Sequence, residues 1–201
     1  MRLGFLASNR GSSLRAIVEA IDNGRLSAEP RLVVSNNKAA GALTFARERS
    51  IPWRWIPTVR HPQAADMRLA EALAGANVDL VVLSGYLRKL GPATLSAYAG
   101  RILNIHPALL PRHGGPRMYG RRVHQSVLDA GDAETGASVH LVDELYDHGR
   151  VIAQANIAIG PGDTVERIEQ RVMDAEPILF IETLRRIACG DLRLPSADDR
   201  I

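Results

Sequence analysis

The chain has 201 residues, 46% hydrophobic and 23% charged, with a formal charge of +3, a balance that suits one globular domain with an ordinary core. Aromatic residues make up only 4%, so that core must be aliphatic. Cys189 is the sole cysteine, which excludes an intramolecular disulfide and a cysteine-built metal centre, and no apolar run approaches the ~20 residues that span a bilayer.

In chain order, Leu3–Ala7 reads as a buried first strand. Met1–Leu6 is too short for a signal sequence and runs into a Gly/Ser turn, so a soluble, cytoplasmic protein is expected. Ser13–Ile21 follows as a helix with Leu14, Ile17, Val18 and Ile21 on one face. Arg31–Ser35 is a second strand, Ala40–Arg49 a helix, Trp53–Ile56 a short edge strand and Gln63–Ala74 a helix. Asp79–Ser84 is apolar almost throughout, as expected of a strand covered on both sheet faces. A short helix over Gly91–Tyr98 leads to the strand Arg101–His106. This alternation predicts an α/β fold, a doubly wound and mostly parallel sheet with helices on both faces.

The pattern then changes. Met118–Ala130 reads as a helix, and Ser138–Val142 and Val151–Ala155 as an antiparallel hairpin extending the sheet, with Asp143–Arg150 as its loop. Asp163–Glu166 has capping-box spacing for a last helix running to about Ile187, which Pro177 should kink.

Three motifs carry chemistry. Ser8-Asn9-Arg10-Gly11-Ser12-Ser13 joins the first strand to the first helix. It is either a phosphate cradle of backbone amides and hydroxyls at a helix N-terminus, or a tight turn with Ser12 or Ser13 as N-cap. Asn104 and His106 are two apart and face the same way on an extended strand. Pro107 should end that strand just past the histidine. Asp147 lies 41 residues beyond His106, on the hairpin loop, from where a carboxylate could orient and charge the imidazole. Amide, imidazole and carboxylate together suit acyl transfer through a tetrahedral intermediate. The spacings of His106, His113, His124, His140 and His148 match no common zinc pattern, so no metal is expected. His140, between Val139 and Leu141, is either a supporting partner of the site or a core residue. Basic residues are scattered, so neither nucleic acid nor a membrane is an expected partner.

Taken together, Leu6-Ala7-Ser8 through Gly11-Ser12-Ser13-Leu14, Val34-Ser35-Asn36, Leu83–Arg88, Asn104–Pro111, Gly136–His140 and Asp147–Ile152 resemble the phosphoribosylglycinamide formyltransferases (glycinamide ribonucleotide transformylases), within the folate-dependent formyltransferase family. The resemblance implies formyl transfer from 10-formyltetrahydrofolate, as co-substrate, to the amine of glycinamide ribonucleotide in purine biosynthesis. It implies Asn104, His106 and Asp147 as catalytic residues, with a protonated His106 and Asn104 donating to the formyl oxygen. Gly11, Ser12 and Ser13 would bind the substrate phosphate, and Glu176 its ribose or glycyl end. Leu87, Arg88, Leu90, Val142 and Asp143 would line the folate pocket, and His140 and Ser138 would support the site.

It further implies a single domain over residues 1–189, with a phosphate-binding half (1–100), a catalytic and folate-binding half (101–189) and a short tail (190–201). A homodimer is compatible with it. Departures from the family pattern are Asn9 and Ser13 in place of a glycine and an asparagine, the added charge of Arg10, Lys89 where an aliphatic is usual, and Pro116-Arg117 in the following loop. They leave two alternatives open: a formyltransferase for another small amine, and a non-catalytic folate- or nucleotide-binding relative.

Overall fold

In the computed structural model, which describes residues 1–195, one sheet gathers seven strands. They are β1 (Arg2–Leu6), β2 (Glu29–Ser35), β3 (Trp53–Trp55), β4 (Leu80–Leu83), β5 (Ile102–His106), β6 (Glu134–Leu141) and β7 (Val151–Ala158). Six helices accompany them: α1 (Ser12–Asp22), α2 (Gly41–Glu48), α3 (Pro62–Gly75), α4 (Pro92–Ala97), α5 (Arg121–Asp129) and α6 (Val165–Ala188). The strand order is β3-β2-β1-β4-β5-β6-β7. The first five run parallel, and β6 and β7 are antiparallel additions at one side. This is the doubly wound α/β sheet that the alternation of elements predicts. Residues 196–201 of the expected tail lie outside the described residues.

Strand alternation divides the core in two. Leu3, Phe5, Val33, Leu80, Val82 and Leu103 pack against buried residues of α1, α2 and α6. Leu6, Leu32, Val34, Val81, Leu83 and Ile102 point the other way, toward α3 and α4. Fully burying one such side chain is worth roughly 1.5–3 kcal/mol, so successive strand residues stabilise opposite layers. The exposed β3 edge is only three residues long. Lys38 and Arg47 sit over the rings of Trp55 and Trp53, and short edges bearing cations resist pairing with other chains. No helix among the described residues is long and apolar enough to cross a membrane.

Several boundaries differ from expectation for local reasons. The N-cap of α1 is Gly11 at φ 67° rather than Ser12 or Ser13, because the turn needs a left-handed residue and glycine has no Cβ to oppose it. The helix expected from Met118 starts at Arg121, since Arg117 and Gly120 take φ of 69° and 59°, outside helical space. β6 begins at Glu134, not Ser138, and pairs along most of β7. At α6 the cap is Thr164, whose hydroxyl accepts from the Arg167 amide. Asp163 turns instead to the Gly160 amide and Arg171. The helix continues from Val165 to Ala188 with Pro177 inside it.

The chain winds from β1 outward to β2 and β3, then returns to place β4 on the other side of β1. Such a reversal opens a crevice at the C-terminal ends of the two central strands. The turn after β1 is stitched across it: the Ser8 amide donates to the Gly85 carbonyl, the Leu87 amide to Ser8 Oγ and the Leu14 amide to Ser84 Oγ.

Candidate active site

Ile105 packs with the α6 side of the core, so its neighbours Asn104 and His106 project to the opposite face at the end of β5. His106 is 3% exposed, and its Nε2 lies 2.8 Å from the His113 carbonyl oxygen. A carbonyl can only accept, so Nε2 carries the hydrogen and the neutral ring is bare at Nδ1. That Nδ1 is 3.4 Å from Asp147 Oδ2. Asn104 Nδ2 is 3.1 Å from His140 Nε2, while His140 Nδ1 donates to the Leu141 carbonyl at 2.8 Å. One Asn104 amide hydrogen is therefore held by His140 and the other remains to be offered. Asp147 Oδ1 completes the group, 3.5 Å from His140 Nε2.

Asp147 arrives on the β6–β7 loop at φ 53°, a left-handed conformation that aspartate tolerates better than most residues. The Gly115 amide donates to its Oδ2 at 3.1 Å. Burial pushes this carboxyl up, but the neighbouring His140 and His106 rings and the Gly115 amide together hold it below its ordinary value. At His106 the contest goes the other way. Burial pushes the imidazole down and prevails over Asp147 and the His113 carbonyl. Near pH 7 the ring is thus mostly neutral, where the sequence reading has it protonated.

Ser138 faces His106 across the β5–β6 ladder, and its hydroxyl bonds the chain that follows the histidine rather than the imidazole. Its hydroxyl donates to the Ala108 carbonyl and accepts from the Leu110 amide and Gln154. Gly11, Ser12 and Ser13 form the first turn of α1 at the crevice, with Ser12 exposed and Ser13 buried. Val142 and Asp143 line a cleft of about 820 Å³ with Leu95, Leu141 and Leu145. Leu87 and Arg88 are exposed on the loop after β4. Leu90 points inward and packs with Leu6 and Ile102, so it does not line that cleft. Glu176 is partly buried on α6, and burial raises its carboxyl from 4.5 to about 7.

Sequence reasoning gave no site role to His113 and did not single out Ser126 or Asp132. No spacing rule links these positions, because the loop after Pro107 folds back on β5 in a conformation that only the structure supplies. No three His, Cys, Asp or Glu residues among those described gather as a metal site would require.

The sequence matches the formyl transferase family over residues 1–184. It is 35% identical to the chloroplastic phosphoribosylglycinamide formyltransferase of Arabidopsis thaliana, covering 92% of this chain and 65% of that one, just under two thirds of the relative's length. To the phosphoribosylglycinamide formyltransferase of Escherichia coli it is 35% identical, covering 96% of this chain and 90% of that one. Among solved structures, the phosphoribosylglycinamide formyltransferase of Coxiella burnetii, in complex with CHES, superposes with a TM-score of 0.89 at 38% identity, over 98% of this chain and 90% of the other. With the match running from the first strand almost to the end of α6, the chain belongs to the formyl transferase family.

Proposed function

We propose that this protein transfers the formyl group of 10-formyltetrahydrofolate to the amine of glycinamide ribonucleotide. The observation that carries the reading is the convergence of Asn104, His106 and Asp147 within hydrogen-bonding and ion-pairing reach of one another or of His140. The substrate amine attacks the formyl carbon, and the free Asn104 amide hydrogen meets the charge that develops on the formyl oxygen. The neutral His106 takes the amine's proton at Nδ1, and Asp147 stabilises the imidazolium so formed. As the carbon–N10 bond breaks, the same proton passes to N10. The three side chains end as they began.

The remaining residues divide by position. The amides of Ser12 and Ser13, at the N-terminus of α1 behind the Gly11 turn, suit the phosphate. Glu176, on the helix that packs against α1, suits the ribose or glycyl end. Val142 and Asp143 offer one wall for the folate, Leu87 and Arg88 lie on a neighbouring rim, and Leu90 supports that wall from the core. The half formed by residues 1–100 thus holds the phosphate and residues 101–189 the reacting atoms and the folate, with Glu176 reaching the nucleotide from the second half and Leu87, Arg88 and Leu90 serving the folate from the first.

Mixing the purified protein with both substrates and following absorbance as tetrahydrofolate forms tests this. Turnover is expected, falling ~100- to 10,000-fold in His106→Ala. Folate binding with no turnover would sink the acceptor assignment and point to another small amine; full activity in His106→Ala would sink the catalytic one.

A further inference from the structure

The Nε2 of His106 is taken up by the carbonyl of His113, a residue that is itself held on two sides. His113 has φ 55°, and both of its ring nitrogens are engaged. Nδ1 lies 2.8 Å from Ser126 Oγ on α5, and Nε2 lies 2.8 Å from Asp132 Oδ2 just beyond that helix. Arg112 pairs with the other oxygen of Asp132. The His113 bond also holds the Asp132 carboxyl below its usual range. Immediately after it, Gly114 passes so close to the Leu110 side chain that a Cβ there would overlap it, and that Cβ would also press on the Asp147 Cβ at 3.2 Å. The loop is therefore clamped at His113 and wedged between the two walls of the site.

We propose that His113 is a positioning residue. Its ring, fixed between Ser126 and Asp132, holds its own carbonyl on His106 Nε2 and so dictates that Nδ1 is the nitrogen presented to Asp147 and the reacting atoms. The proposal rests on the reading of His106 as the proton-transferring group. Without the clamp the 107–120 loop keeps its Ser138 anchor at Ala108 and Leu110 and the Gly115 bond to Asp147, but the carbonyl, three residues past the one and two short of the other, loses the ring that sets its direction. The imidazole becomes free to exchange tautomers or flip, and a misplaced group of this kind slows chemistry without weakening substrate binding.

Two variants of the full-length protein test this. His113→Phe keeps the ring's bulk and removes both bonds; Asp132→Asn leaves His113 itself in place. In each, kcat should fall ~10- to 100-fold with KM for both substrates little changed. Nitrogen NMR of the His106 imidazole should change from a single Nε2–H form to a mixture. His113→Asn, which tolerates the left-handed backbone and can still bond one partner, should recover part of the loss. A single unchanged tautomer in both variants, or a rise in KM with kcat intact, overturns the proposal. The imidazole spectrum reads the clamp even if His106→Ala proves active, so failure of the clamp and failure of the catalytic reading are told apart. Should His113→Phe not fold, the Asp132→Asn spectrum decides alone.

Discussion

Glu176 sits partly buried with no charged group acting on it, and its carboxyl rises from 4.5 to about 7. Between those values the folded protein holds a proton that the unfolded chain releases. Stability must therefore fall as pH rises through this window, and the loss is complete only above about 7. At ~1.4 kcal/mol per pH unit the ceiling is about 3 kcal/mol. Glu176→Gln removes the ionisation, so urea unfolding should show the two proteins alike near pH 4 and the variant more stable by ~1–3 kcal/mol near pH 8. Parallel stability curves for the two would refute the assignment of burial as the cause. His106 has the opposite sign: a histidine held below its ordinary value loses stability as pH falls through the histidine range. The two buried groups press on stability from opposite ends of the neutral range.

The turn from β1 into α1 depends on a single backbone conformation. Gly11 stands at φ 67°, and a Cβ built there would lie 3.2 Å from the Ala42 Cβ. Gly11→Ala should lower stability by ~1–2 kcal/mol for the left-handed backbone alone. It should also raise KM for the ribonucleotide while leaving that for the folate unchanged, measured by steady-state kinetics beside urea unfolding. Equal changes in both KM values would mean that the turn does not serve the phosphate. Elements of this kind mark the limit of what sequence shows. The parallel strands were legible because apolar runs such as Leu80–Leu83 carry their own signal, and Asn104 with His106 because a period of two places them together. The start of α5 was not legible, since the positive φ of Arg117 and Gly120 is imposed by the loop's path over the site. Nor was the clamp on His106, because His113 reaches it through a main-chain carbonyl, and any residue type carries one.

The two halves of the sheet share a single helix. Phe180 on α6 is fully buried in the same cluster as Leu3 and Phe5 of β1 and Leu14 and Ile17 of α1, with Val139 and Leu141 of β6. It thus joins the first strand and the antiparallel extension into one core, and α6 packs on β6, β7, α1 and α5 alike. Removing that ring should cost ~3–5 kcal/mol, as large-to-small changes in closed cores do. The chain's two tryptophans both lie on β3, at the far edge of the sheet from β6 and β7, so their fluorescence reports on the first half only. If residues 1–189 unfold as one cooperative unit, Phe180→Ala will shift the tryptophan transition and the far-ultraviolet circular dichroism transition to the same lower urea concentration, with unchanged slope. If the halves were separate units joined only by chain, the tryptophan signal would stay near its original midpoint while the helical signal moved. The shared cluster around Phe180 argues for coincidence: loosening α6 from α1 and β6 opens the core layer that also holds Leu3 and Phe5 of β1, the strand on which the phosphate-loop turn is built.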